Sequence, residues 1–311
     1  MKKILSPIIL FTAALIWGVA FVAQKAAAEI PVFILCAARS LIASAVLIPI
    51  VMLFDTLTKN GRTLISKKGV DITKAELIGG ILCGIALFGA TALQQAGING
   101  TDPGKASFIT ALYVVIVPIY ALVLKKRSPL NAWIGVAISV AGFYLLCIKE
   151  NLTIDAADAL VFACAFVYAL QIMIIDRFVS TCDGVRLSLI QFITVTVLSL
   201  VIALVTAEPF DAVKLTGCLP EILYLGIASS GVAYTLQIIG QKGTHPAVAS
   251  IILSLESVVG AVASAIIIGE FLTPREYAGC AIVFVAIVVS QLDFSAFSHK
   301  KVKKAADITA E

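Results

Sequence analysis

Apolar runs at or near membrane-spanning length recur along the whole chain. They cover residues 7–27, 31–54, 75–97, 103–124, 129–148, 156–175, 185–206, 217–240, 246–268 and 274–294, with short polar connections between them. A helix crossing a bilayer needs about 20 such residues, so the pattern predicts ten transmembrane helices. Pro31, Pro103, Pro129, Pro246 and Pro274 stand at predicted helix starts, where the missing N–H has no helical partner to lose. Pro49 and Pro118 fall inside runs and are expected to kink them. The longest connection, about 55–74, is basic and predicted to lie at the membrane surface. No stretch is left for a soluble catalytic domain.

Composition agrees with the periodicity. The 311 residues are 60% hydrophobic and 14% charged, with a mean hydropathy of +1.04. That balance excludes a soluble globular domain and leaves a polytopic membrane protein. The seven cysteines, Cys36, Cys83, Cys147, Cys164, Cys182, Cys218 and Cys280, contain no CxxC pair. They read as small core residues rather than disulfides or metal ligands. His245 and His299 are the two histidines, too few for a His-rich metal site, and no cofactor is implied. Lys2 and Lys3 ahead of an apolar run, with Ala26–Ala28 beyond it, also fit a signal peptide. The run is longer than such a segment and carries Trp17, Gly18 and Gln24, so it is read as a retained first helix.

Lysine and arginine set the orientation. With a cytoplasmic N-terminus, 17 of the 23 fall on inner segments, five on outer ones, and Arg39 lies within a span. Both termini are therefore expected inside a bacterial-type inner membrane. The basic cluster 299–304 fits an anchor on anionic lipid; nothing supports a nucleic-acid partner.

An internal repeat organises the runs. Shifted by 143, LQQAGINGTDPGKAS (93–107) overlies LQIIGQKGTHPAVAS (236–250) with eight of fifteen positions identical. Ile109/Ile252, Leu112/Leu255 and Val115/Val258 continue the register. Trp17 likewise falls opposite Tyr168, Arg39 opposite Gln191, and Lys25 opposite Asp176. Five helices per half is an odd number, so the second half enters the membrane the other way up. The predicted fold is all-α: residues 1–150 and 151–295 form two inverted five-helix repeats around a central cavity. Residues 296–311 form a basic cytoplasmic tail.

The sharpest chemical signal is Glu256, a carboxylate near the middle of the apolar run 246–268. A charge there costs roughly 2.5–3.5 kcal/mol on insertion scales, which usually marks function. It is the candidate for proton coupling or cation recognition; the alternative is a neutral acid bonded to a neighbouring helix. Tyr113 occupies the equivalent place in the first half. Ser254 lies beside Glu256, and Thr110 beside Tyr113. Trp17, Phe21 and Gln24 share one helix face, suited to stacking on and hydrogen-bonding an organic solute, or to ordinary packing. Tyr168 with Gln171, Gln94 with its repeat mate Gln237, and Tyr234 complete the candidate solute-binding set. Arg39, about 12 Å into its helix at the usual rise per residue, needs carbonyls, a carboxylate or an anionic solute; it is read as a structural charge. Whether it pairs with Glu256 stays open.

These segments carry a family likeness. LIWGVAFVAQKAA (15–27), AARSLIA (37–43), GKASFITALYVVIVPIYALVLKKR (104–127) and SIILSLESVVGAVASAIIIGEFLTPREYAG (250–279) resemble the EamA-type carriers of the drug/metabolite transporter superfamily, over nearly the whole chain. The resemblance implies ten helices and a cavity lined mainly by the first, third, fourth, sixth, eighth and ninth. It also implies cargo drawn from amino acids, nucleosides, sugars, sugar phosphates, choline-like cations and drugs. No hydrolase, metalloprotease or P-loop motif occurs, so the chain is not read as an enzyme. The expected function is a secondary transporter of a small organic metabolite, such as an amino acid, by efflux. An uptake carrier for a nucleoside or quaternary amine, or a membrane receptor or scaffold, are the alternatives. Its partners are then the solute and membrane lipid; solute identity, direction and oligomeric state are not written in the residues.

Overall fold

A computed structural model describes residues 2–59, 72–147, 155–269 and 273–292. The described chain is helical, with no strand among the described residues. The helices are α1 (Lys2–Ala26), α2 (Val32–Lys59), α3 (Lys74–Gly100) and α4 (Pro103–Val123). They continue as α5 (Leu130–Cys147), α6 (Ala156–Phe178), α7 (Gly184–Val205) and α8 (Leu219–Gln241). The last are α9 (Pro246–Leu253, continuing as Glu256–Ile268) and α10 (Pro274–Gln291).

Eight of these, all but α5 and α10, are long and apolar enough to cross a membrane. The apolar part of α5 is shorter, Leu130–Leu145, and α10 opens on Arg275 and Glu276. A helix therefore stands at each of the ten positions expected from the hydropathy pattern, and eight meet the spanning criterion outright. The basic tail 299–304, and most of the connection 55–74, lie outside the described residues.

Local chemistry explains where the helices begin. Thr73 with Glu76, Asp155 with Asp158, and Thr273 with Glu276 form capping boxes, which satisfy the first free N–H groups. Asp183 accepts from the amides of Val185 and Arg186. Proline opens α4, α9 and α10. Pro49 and Pro118 lie within helices as expected, but the interruption in α4 comes at Leu112, six residues before Pro118. The matching interruption in α9 comes at Ser254–Leu255. The sequence also hid a short helix, Ala212–Gly217, and a π-helical stretch in α8, Tyr224–Ala233.

Polarity is inside out relative to a water-soluble bundle. Large apolar side chains such as Met52, Ile85, Leu200, Leu204 and Ile266 point outward. Gln, Ser, Thr and charged side chains are buried between helices. The principal helix contacts are α3 on α6 and α7, α2 on α7 and α8, α5 on α10, α1 on α8 and α9, and α4 on α6 and α9. Two glycines at equivalent repeat positions permit close crossings. A Cβ at Gly97 would lie 2.4 Å from Val161 Cγ2 and 2.7 Å from the Ala157 carbonyl oxygen of α6; one at Gly240 would lie 2.8 Å from Leu10 Cγ of α1.

Ion pairs fasten the helix ends. At one end Asp158 accepts from Lys105 Nζ at 2.6 Å, from Thr101 Oγ1 at 2.9 Å, and from its own N-cap amide. There Lys25 also donates to the carbonyls of Ile98, Asn99 and Thr101, a cation on the negative end of α3. At the opposite end Arg186 pairs with Asp55 and, at 4.0 Å, Glu76, while Lys126 pairs with Asp176.

Candidate functional site

Among the described residues, a cavity between the helices gathers most of the candidate side chains. α1 contributes Trp17, Ala20, Phe21 and Gln24; α2 contributes Arg39; α3 contributes Gln94. Thr110 and Tyr113 come from α4, Tyr168 and Ile172 from α6. Ser229, Tyr234 and Gln237 come from α8, Leu253 and Glu256 from α9. The centre of a water molecule can occupy about 30 Å³ of it, room for roughly two waters. An organic solute enters only if the lining moves.

The helix interruptions aim the two central groups. The backbone turns at Leu112 and at Ser254–Leu255, so Tyr113 and Glu256 each stand at the start of a new helical segment. Both are buried, Glu256 with 4% and Tyr113 with 3% of its surface exposed. The Tyr113 hydroxyl lies beside the Glu256 carboxyl. No cation pairs with Glu256 among the described residues.

A hydrogen-bonded run crosses the cavity wall. Tyr234 donates to the Tyr168 hydroxyl at 3.2 Å, and Tyr168 donates to Gln94 Oε1 at 3.1 Å. Gln94 Nε2 donates to Thr110 Oγ1 at 3.2 Å. The run links α8, α6, α3 and α4, and it fixes the orientation of the Gln94 amide. Trp17 stacks at a tilt on Tyr234, ring centroids 4.6 Å apart, and its indole N–H donates to the Ser229 carbonyl at 3.1 Å.

Arg39 is answered by neutral groups. It donates through Nε to Ser230 Oγ at 3.1 Å, through Nη1 to Gln24 Oε1 at 3.3 Å, and through Nη2 to Ser229 Oγ at 3.2 Å. It does not pair with Glu256. Ser229 and Ser230 lie in the π-helical stretch of α8, a local geometry frequent at functional sites. It turns two consecutive serines onto one guanidinium.

Two candidates lie outside the lining. Gln171 sits behind the wall, donating to Gln191 Oε1 at 3.2 Å and accepting from Gln237 Nε2 at 3.1 Å. Ser254 is fully buried and donates to the Ile251 carbonyl at 2.8 Å, bracing the interruption in α9. Helical spacing set Gln171 on the Tyr168 face, and Ser254 was read from its place beside Glu256; but α9 is not continuous there, and the Gln171 amide turns to two other amides. Ser229, Leu253, Ile172 and Ala20 line the cavity without having been singled out. Ser229 escaped because the π-helical stretch breaks the 3.6-residue period by which faces are read.

Comparison with known proteins follows the same outline. The model of the EamA-like transporter family matches residues 5–148 and 155–291. An "uncharacterized transporter" of Archaeoglobus fulgidus is 30% identical over 214 residues, 68% of each chain. A solved crystal structure superposes with a TM-score of 0.70 at 18% identity, covering 92% of this chain and 96% of that one; this is a likeness of fold.

Proposed function

The chain belongs to the EamA-like transporter family and is a multi-pass membrane transporter, and from that premise we propose that it is a secondary carrier working by alternating access. Its cargo is a small organic metabolite such as an amino acid, and its direction is export from a bacterial-type cell. In this reading ten helices form two inverted five-helix halves, and the cavity between them opens to one side of the membrane at a time.

Helix pairing supports the inverted arrangement. Exchanging the halves turns the α3–α6 contact into α8–α1, the α1–α9 contact into α6–α4, and α3–α7 into α8–α2; α2–α7 and α5–α10 map onto themselves. The correspondence reaches single residues. Gly97 meets Val161 and Gly240 meets Leu10, and the repeat registers carry one pair onto the other. Contacts that exist in two copies can be broken at one end of the bundle while their counterparts hold the other.

The observation that carries the function is the convergence of polar side chains from both halves on one buried space, whose lining includes an acid with no counter-ion among the described residues. Proton coupling is assigned to Glu256, which would take up a proton while the cavity faces one side and release it on the other. Arg39, Gln94 and Gln237, together with the aromatic groups of Trp17, Tyr113, Tyr168 and Tyr234, would hold the cargo.

Counterflow in proteoliposomes tests the reading. Purified protein, with one unlabelled solute class inside at a time, is expected to accumulate the labelled form of its cargo transiently from outside. Failure to exchange any amino acid, nucleoside, sugar or quaternary amine would leave a receptor or scaffold as the better account.

A further inference from the structure

Five charged side chains are buried among the described residues: Arg39, Glu76, Asp158, Arg186 and Glu256. Three of them are answered by opposite charge, since Asp158 holds Lys105 and Arg186 holds Asp55 with Glu76 beside it. The other two, Arg39 and Glu256, have no counter-ion among the described residues. Both face the same cavity. An ion taken out of water and left unpaired is costly, and a structure that pairs its buried charges elsewhere leaves these two open at one place.

Their surroundings differ in kind. Around Arg39 the groups are hydroxyls and an amide, Ser229, Ser230 and Gln24. The two hydroxyls accept from the guanidinium here, and each has a proton to offer an incoming anion. The planar guanidinium suits a carboxylate, which it can engage through two parallel hydrogen bonds. Beside Glu256 stands the Tyr113 hydroxyl, and the cavity that Glu256 faces is lined by the rings of Trp17, Phe21, Tyr168 and Tyr234, a setting that suits a cationic amine. The two charges come from opposite halves of the chain and do not reach one another.

We propose that Arg39 and Glu256 are the two poles of the cargo site, and that the cargo is a dipolar ion with its carboxylate on Arg39 and its ammonium group toward Glu256. The proposal rests on the carrier reading above and narrows it. A cation alone leaves Arg39 unanswered, and an anion alone leaves Glu256 unanswered. A site whose buried polar groups lose their partner rejects the incomplete ligand strongly. Arg39 is then a specificity-determining residue as well as a fixed charge.

Ligand-induced thermal stabilisation of the purified protein tests this without transport, because a ligand held only by the folded state raises its apparent stability. The probes are the common α-amino acids and the ω-amino acids from β-alanine to 6-aminohexanoate. Each is set beside its carboxamide, which keeps only the ammonium, and its deaminated acid, which keeps only the carboxylate. At least one zwitterion is expected to bind about tenfold or more tighter than either partner compound. Arg39→Gln is expected to remove the preference over the carboxamide and Glu256→Gln the preference over the deaminated acid. Should Arg39→Gln fail to fold, Arg39→Lys keeps the charge and is expected to weaken the preference over the carboxamide without abolishing it; the wild-type series stands by itself. Equal binding of a zwitterion and its singly charged partner, full discrimination in Arg39→Gln, or no binding by any zwitterion would overturn the proposal. Counterflow of a singly charged or neutral solute alongside such a result would leave the carrier reading standing.

Discussion

Glu256→Gln is expected to reduce proton-gradient-driven transport to background while the protein folds and purifies as before. The substitution keeps size and shape, exchanges one carboxyl oxygen for an amide NH2, and removes the ionisable group. Glu256 is buried at the start of the second segment of α9 and has no cationic partner among the described residues. Removing it therefore strands no buried cation of the protein, which is the usual reason that loss of a buried charge unfolds a structure. Function and stability separate at this position, and transport in proteoliposomes with an imposed pH gradient, beside a thermal midpoint, measures both. Undiminished transport with its pH dependence intact would remove Glu256 from the mechanism.

Gly97→Ala is expected to be the most damaging single-methyl change in the bundle, and clearly worse than Gly240→Ala. The two glycines are repeat mates at helix crossings, but their neighbours differ. The new Cβ at Gly97 meets backbone of α6, the Ala157 oxygen at 2.7 Å and the Val161 nitrogen at 3.1 Å, as well as the Val161 side chain. Backbone cannot rotate away, so α3 and α6 must separate. At Gly240 the nearest atoms are Leu10 Cγ and Cδ2 at 2.8 and 2.9 Å and Ile9 Cγ2 at 3.2 Å, all in side chains with other rotamers. Overpacking costs typically about 1–3 kcal/mol, and Gly97→Ala belongs at or above the top of that range. Thermal midpoints of the two variants in one detergent check it; equal losses would mean that the α3–α6 crossing yields as easily as α1–α8.

Much of this was legible in the residues because lipid imposes a blunt pattern. The ten apolar runs match ten helices nearly end for end, since a spanning helix satisfies its backbone internally and shows its length as uninterrupted hydropathy. Pro103 and Pro246, matched in the sequence register, each open a helix, and the register that sets Tyr113 opposite Glu256 also sets Leu112 opposite Leu255, where both helices break. The interruptions themselves carry no signal, as neither Leu112 nor Ser254 is a residue that ends helices. Ser229 and Ser230 were hidden for a related reason, because a π-helical stretch shifts the facing side by a fraction of a turn. Arg39 was recognisable as a buried charge in need of partners, but its partners belong to α1 and α8, and long-range choice among many serines and glutamines is set by packing.

The proposed alternation brings one space to each side of the membrane in turn, and cysteine accessibility at Thr110 measures that most directly. Thr110→Cys is a small change at a position on the cavity wall, with 1% of the native residue exposed. In a variant whose seven native cysteines are replaced and transport is retained, a membrane-impermeant thiol reagent is predicted to modify this residue in both right-side-out and inside-out vesicles, more slowly when cargo is present. Modification from one side alone, or from neither, would contradict it.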